Sequence, residues 1–249
     1  TLFPYTTLFR SMFACGTEAG DWLFGEKNRD KVIQQRNAID TAVYRYDPSL
    51  AAQVRAEFGV TDPDTFVLGH VGRFFPQKNH TFLIDIFAEV HKQCPNSVLW
   101  LVGGGELNDE LKNQIKAKVE GLGLSDAVRF FGVRDDVNRL LQGMDSFILP
   151  SLYEGLPVTM IEAQASGLPC TISDRVPRQC DVTGNVQIIG LDEPPAAWAK
   201  RILDQHATYA GTDRASGADA VAHAGFDITS NAEWLQKFYL DALAKPARV

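Results

Sequence analysis

The hydrophobic positions of this 249-residue chain change rhythm near Thr65. Before it the apolar stretches are brief: 12–15, a helical turn over 17–24 stopped by Gly25, and a short strand at 31–33 leading into the polar segment 34–40. A helix with Leu50, Val54 and Phe58 at helical spacing then closes at Gly59. These pieces cannot bury much surface on their own. From Thr65 onward, apolar runs of strand length alternate with amphipathic runs. Residues 66–71 predict a strand, and 81–92 predict a helix with Phe82, Leu83, Ile86, Phe87 and Val90 on one face, stopped by Pro95. Strands follow at 98–102, 128–131, 147–149, 170–173 and 186–189. Between and after them lie helices at 109–120, 137–141, 157–165 and 195–204. The small, polar stretch 208–220 reads as a loop, and 231–243 as a final helix whose Trp234, Leu235, Phe238 and Tyr239 need a partner surface. The alternation predicts an α/β fold, a Rossmann-like parallel sheet with helices on both faces. Ligands of such sheets bind beyond the carboxyl ends of the strands.

Composition narrows the partners more than the fold. Hydrophobic residues make up 45% and charged residues 22%, ordinary values for a chain with a real core. The formal net charge of −7 argues against nucleic acid, so any phosphate must be met by a local group of cations. Cys15, Cys94, Cys170 and Cys180 form no close pair, as expected of a reducing compartment. No run reads as a membrane span or a signal peptide, which makes a cytoplasmic location the expectation.

Candidate chemistry gathers in two strand-to-helix loops. The first, Gly72-Arg73-Phe74-Phe75-Pro76-Gln77-Lys78-Asn79, places two cations at the sheet rim. The second runs Ser151-Leu152-Tyr153-Glu154-Gly155-Leu156-Pro157-Val158-Thr159-Met160-Ile161-Glu162. Here Gly155 permits a tight turn and Pro157 suits a first helical position. The free amides of Val158 and Thr159 would then face an anion. Glu154 and Glu162 would line one cleft about 10 Å apart, from a rise of about 1.5 Å per helical residue plus the loop. Carboxylates accept paired hydroxyls well, so one could grip a ribose diol and the other a sugar diol.

The strings GRFFPQKN and SLYEGLPVTMIEAQASGLPC resemble the donor-binding motifs of family 4 retaining glycosyltransferases of the GT-B fold. Glu154 and Glu162 match that family's E-x7-E pair, and the resemblance is strongest over 72–170. It implies that Arg73 and Lys78 bind the diphosphate of a nucleotide sugar, a UDP-sugar foremost, and neutralise the leaving nucleotide. Each such charge-assisted contact is worth roughly 1.5–3 kcal/mol. It implies that Glu162 takes the ribose hydroxyls and Glu154 those of the transferred sugar. Gly72, Gly155, Leu156, Pro157 and Val158 would hold sugar and phosphate oxygens, with Gly132 and Val133 near the base. No cofactor or metal is implied. The acceptor would be a glycan or a lipid-linked sugar, and the full enzyme could associate peripherally with a membrane.

FACGTEAGDWLFGE followed by NAIDT resembles the end of the amino-terminal domain and the linker of capsule or exopolysaccharide enzymes. The implied division is 12–48 for that remnant, 49–225 for the donor domain and 226–249 for a terminal crossover helix. Residues 1–11, TLFPYTTLFRS, resemble a translated sequencing adapter and are expected to be non-native. Most of the acceptor domain would then lie outside the chain, which would bind nucleotide weakly and turn over nothing.

Other motifs carry less. Gly103-Gly104-Gly105 suggests a glycine turn, and a dinucleotide fingerprint fails at Asn108. Asp62-Pro63-Asp64 precedes a strand and reads as a turn, not a metal site. His80 reads as a helix-start residue supporting Lys78, and the sequon at 79–81 as accidental. A nucleotide-sugar epimerase of the same fold and a non-catalytic binding module are the alternatives.

Overall fold

The structure, a computed structural model, describes residues 11–104 and 109–244. The adapter-like residues 1–10, Gly105 of the glycine turn and Asn108 lie outside the described residues. The elements in chain order are β1 (Met12–Ala14), α1 (Thr17–Phe24), β2 (Val32–Gln34), α2 (Thr41–Tyr44), α3 (Pro48–Glu57), β3 (Phe66–Val71) and α4 (His80–Gln93). Then come β4 (Ser97–Val102), α5 (Asp109–Gly121), β5 (Val128–Gly132), α6 (Val137–Gln142), β6 (Ser146–Leu149) and α7 (Val158–Ala165). The chain continues through β7 (Cys170–Ser173), β8 (Val186–Ile189), α8 (Pro195–Tyr209), α9 (Ser216–Val221) and α10 (Ile228–Ala244).

Six strands form one all-parallel sheet in the order β5-β4-β3-β6-β7-β8. Strand alternation sends successive side chains to opposite faces. Phe66, Leu68, Leu99, Leu101 and Ile148 pack with Leu83, Ile86, Phe87 and Val90 of α4 and with Trp198 and Ile202 of α8. Val67, Val71, Trp100, Val102, Phe147 and Leu149 meet Val54 of α3, Leu140 and Leu141 of α6, and Met160 of α7 on the other face. Trp100 and Trp198 are fully buried, one on each face. Truncation of a buried Trp to Ala costs roughly 3–5 kcal/mol, so both faces contribute heavily to stability.

Local chemistry fixes the element ends. α3 starts where the Asp47 carboxylate accepts from Ser49 N at 2.8 Å, with Pro48 at the first turn. Asp62 makes the expected turn, accepting from Asp64 N at 2.9 Å, and binds Asn96 Nδ2 at 2.9 Å. The region read as a loop over 208–220 differs: α8 runs on to Tyr209 and α9 occupies Ser216–Val221. The small residues there let α9 approach α7 closely, a packing role that mimics loop composition.

β1 and β2 form a separate two-stranded parallel sheet. Phe13 of β1 meets Phe238 of α10 edge-on at 5.1 Å and Trp234 at 6.4 Å, covering the aromatic face only in part, since Trp234 stays 43% exposed. Tyr239, Leu240 and Leu243 of α10 stay exposed. The segments entering α2 and α10 are bonded to each other: Ile39 N donates to Phe226 O at 2.9 Å and Ile228 N to Ile39 O at 2.8 Å. No helix among the described residues is long and apolar enough to cross a membrane.

Candidate functional site

The site forms where β3, β4, β5 and β6 end together. Gly72 N donates to Val102 O at 2.9 Å and Gly103 N to Gly132 O at 2.8 Å, so three adjacent loops are tied backbone to backbone. The approach is too close for any side chain at 103, where a Cβ would stand 2.0 Å from Gly72 O. Val133 follows on the rim, 82% exposed.

The loops after β3 and β6 are stitched more tightly still. Leu152 N donates to Gln77 O at 2.8 Å, and Asn79 Nδ2 to Pro150 O at 3.2 Å. Asn79 adopts a left-handed conformation (φ 55°), which Asn tolerates better than most residues. Across this seam Lys78 Nζ lies 2.6 Å from Glu154 Oε1, with the carboxylate only 7% exposed. Gln77 Nε2 donates to Glu154 Oε2 at 3.1 Å and to Tyr153 O at 2.9 Å. Both oxygens of Glu154 therefore carry a donor. Arg73 stays exposed, its guanidinium 5.1 Å above the Phe75 ring.

Two local expectations need correction. Pro157 is the residue before α7, not its first helical residue, with φ −72° and ψ 111°. The first-turn amides still include Val158 and Thr159, and no side chain caps that end. Gly155 adopts no positive φ, and a Cβ there would meet nothing within 4 Å. Its value at this place is open space rather than backbone freedom. Leu156 is half-buried beside it.

Glu162 sits one helical turn farther along α7. Burial raises its carboxyl above the ordinary carboxylate range, and a hydrogen bond from Tyr44 OH, 2.8 Å from Oε1, works against that rise. Beneath the Lys78 stem, buried His80 stacks on Phe74 and meets the buried His70 ring edge-on at 4.9 Å. His70 Nδ1 lies 2.9 Å from Ile148 O. Burial lowers the His70 pKa to about 4 and the His80 pKa to about 2, and the neighbouring Lys78 charge adds to both shifts. His80 is thus a neutral helix-start residue under Lys78, as its position suggested. Gln77, Tyr44 and His70 were missed by sequence reasoning. Gln77 at least lay within the motif; Tyr44 sits in a four-residue helix too short to show periodicity.

Together these features bring two cations, the uncapped start of α7 and two carboxylates to the sheet's carboxyl end. That combination suits a phosphorylated ligand rich in hydroxyls.

Comparison with known proteins places the chain in a family. The family model described as "Glycosyl transferases group 1" matches residues 65–207. The putative glycosyltransferase EpsF of Bacillus subtilis is 36% identical over 233 residues, covering 92% of this chain and 59% of that protein. An Escherichia coli UDP-Gal:alpha-D-GlcNAc-diphosphoundecaprenol alpha-1,3-galactosyltransferase is 38% identical over 117 residues, 45% of this chain and 28% of that one. Among solved structures, Anabaena HepE in complex with UDP-glucose superposes with a TM-score of 0.76 at 23% identity, covering 94% of this chain and 64% of that one. The chain thus spans less than two thirds of the length of these relatives. The fold is that of the GT-B glycosyltransferases, and with more than half of its residues inside the matching model the chain belongs to the group 1 glycosyl transferases.

Proposed function

We propose that this chain is the donor-binding half of a retaining hexosyltransferase of family 4. The full enzyme would move a sugar from a nucleoside diphosphate, UDP foremost, to a glycan or lipid-linked acceptor of polysaccharide synthesis in the cytoplasm. The observation that carries this reading is the seam holding Lys78 against Glu154 beside the uncapped start of α7. Arg73, Lys78 and the amides of α7 would take the diphosphate, with Gly72, Gly155, Leu156, Pro157 and Val158 shaping its bed. Glu162 would accept the ribose hydroxyls and Glu154 those of the sugar, while Gly132 and Val133 border the base.

In the reaction the bond between the anomeric carbon and the phosphate oxygen breaks, and the electron pair leaves with the nucleoside diphosphate. The developing negative charge meets Arg73, Lys78 and the helix amides. The acceptor hydroxyl bonds to the anomeric carbon on the same face and passes its proton to the departing phosphate. Front-face transfer is favoured over a covalent intermediate because both oxygens of Glu154 already carry donors. We place the acceptor contacts and any membrane association with the longer enzyme, so that the 249 residues bind donor without turnover.

Calorimetric titration with UDP-sugars and other nucleotide sugars tests the reading. UDP-sugar binding that weakens about tenfold or more in Glu162→Ala is expected, the loss of a charged hydrogen-bond partner. Binding indifferent to Glu162, or no binding of any nucleotide sugar, would overturn it.

A further inference from the structure

Tyr44 reaches Glu162 from a part of the chain 118 residues away, donating its hydroxyl to Oε1 at 2.8 Å. Burial, followed by the charge of Glu162, pushes the phenol above its ordinary value, so the group keeps its proton and acts as a donor. Its ring joins the apolar patch of Ile39, Ile161, Ala165, Val221 and Phe226. The backbone around it is fixed as well. Gln142 Nε2 donates to Tyr44 O at 3.2 Å and to Arg45 O at 3.3 Å, and Asp40 caps the other end of α2 through Ala42 N at 3.1 Å. A glutamate has three rotatable side-chain bonds, and a carboxylate that must meet two hydroxyls at once loses affinity if it turns freely.

We propose that Tyr44 is a positioning residue for donor binding, holding one oxygen of Glu162 so that the carboxylate plane faces the ribose diol of a nucleoside diphosphate. The inference rests on the assignment of Glu162 to the ribose. Each carboxylate oxygen has two lone-pair directions, so Oε1 can keep Tyr44 while Oε2 and the free side of Oε1 receive the diol. The hydroxyl comes from α2, outside the two motif loops, so the ribose contact depends on the segment that crosses into the donor domain.

The test is titration of the 249-residue chain with UDP and with 2′,3′-dideoxy-UDP, which lacks the diol. Tyr44→Phe should weaken UDP binding about tenfold and leave the dideoxy nucleotide unchanged. In a Glu162→Gln background the same change should add nothing. Tyr44→Leu keeps apolar packing without the hydroxyl and should discriminate between the nucleotides in the same way; unfolding midpoints verify that each variant is folded. An equal loss for both nucleotides, or a further loss on top of Glu162→Gln, would show a structural role and overturn the proposal. If Glu162→Gln weakens UDP but Tyr44→Phe does not, the ribose assignment stands and the positioning role falls. If Glu162→Gln changes nothing, the ribose assignment itself fails, and the positioning role with it.

Discussion

His80 has neither ring nitrogen partnered, lies 2% exposed, and stacks on Phe74 at 4.3 Å. A buried neutral histidine makes folding sensitive to acid, because the unfolded chain binds a proton that the folded chain refuses. Above the ordinary value of 6.5 both states are neutral and the group contributes nothing to pH dependence. As pH falls below 6.5 the unfolded state is favoured, down to about 4 for His70 and about 2 for His80. Each histidine contributes a slope of about 1.4 kcal/mol per pH unit within its window. His80→Phe should therefore flatten the acid limb of a urea-midpoint series between pH 6 and 4 by about half of the pair's share. An unchanged limb would mean that His80 is protonated in the fold. Gly155 offers the opposite kind of residue, one where an added Cβ would meet no neighbour within 4 Å. Gly155→Ala should change stability by no more than about 0.5 kcal/mol while weakening nucleotide-sugar binding measurably. A large drop in midpoint would show that the glycine serves the backbone after all.

At the level of elements, periodicity located the sheet well and the helices around it less evenly. The strands 66–71 and 170–173 lie where the apolar runs place them, because strands buried on both faces leave a continuous hydrophobic signature. α9 escaped because Ser216, Gly217 and Ala218 look like loop residues while serving helix contact. A Cβ at Gly217 would fall 2.3 Å from Gln164 O on α7. Gly217→Ala is accordingly expected to destabilise by roughly 1–3 kcal/mol through forced separation of the two helices. Gly121, in the last turn of α5 with nothing within 4 Å, is the control, and Gly121→Ala should be neutral or stabilising in the same thermal melts. Equal losses at both positions would contradict the packing argument. The site was legible to the same uneven degree. The two loops and the Glu154–Glu162 spacing stand out in a one-dimensional string because each is contiguous. The Lys78–Glu154 ion pair, Gln77 and the Tyr44 contact are not contiguous, and only folding brings them together.

Across the whole molecule, stability is unevenly shared. The six-stranded sheet carries two cores, whereas α10 has no buried residue and leans on Phe13 through Trp234 and Phe238. Phe13→Ala should speed amide hydrogen exchange along the second half of α10 while protection in β3 and β4 stays unchanged. Loss of protection throughout the sheet would show instead that the two parts unfold as one. The start of α10 is better held: Asp227 accepts from Ser230 N at 3.0 Å and from the Thr41 hydroxyl at 3.0 Å, and Ile39 is bonded to the backbone on either side of it. The segments around Ile39 and Asp227 are thus laced into one another, with Tyr44 and its grip on Glu162 just beyond the lacing. That arrangement sets a rule for recombining this protein with its relatives. A chimera that exchanges the six-stranded sheet and its helices cannot be spliced at one of these segments alone, since a foreign segment at 39–44 would meet a native one at 226–228. Parental junctions placed upstream of Ile39 and downstream of Asn231 would transplant the lacing and the Tyr44–Glu162 contact as a single heritable unit.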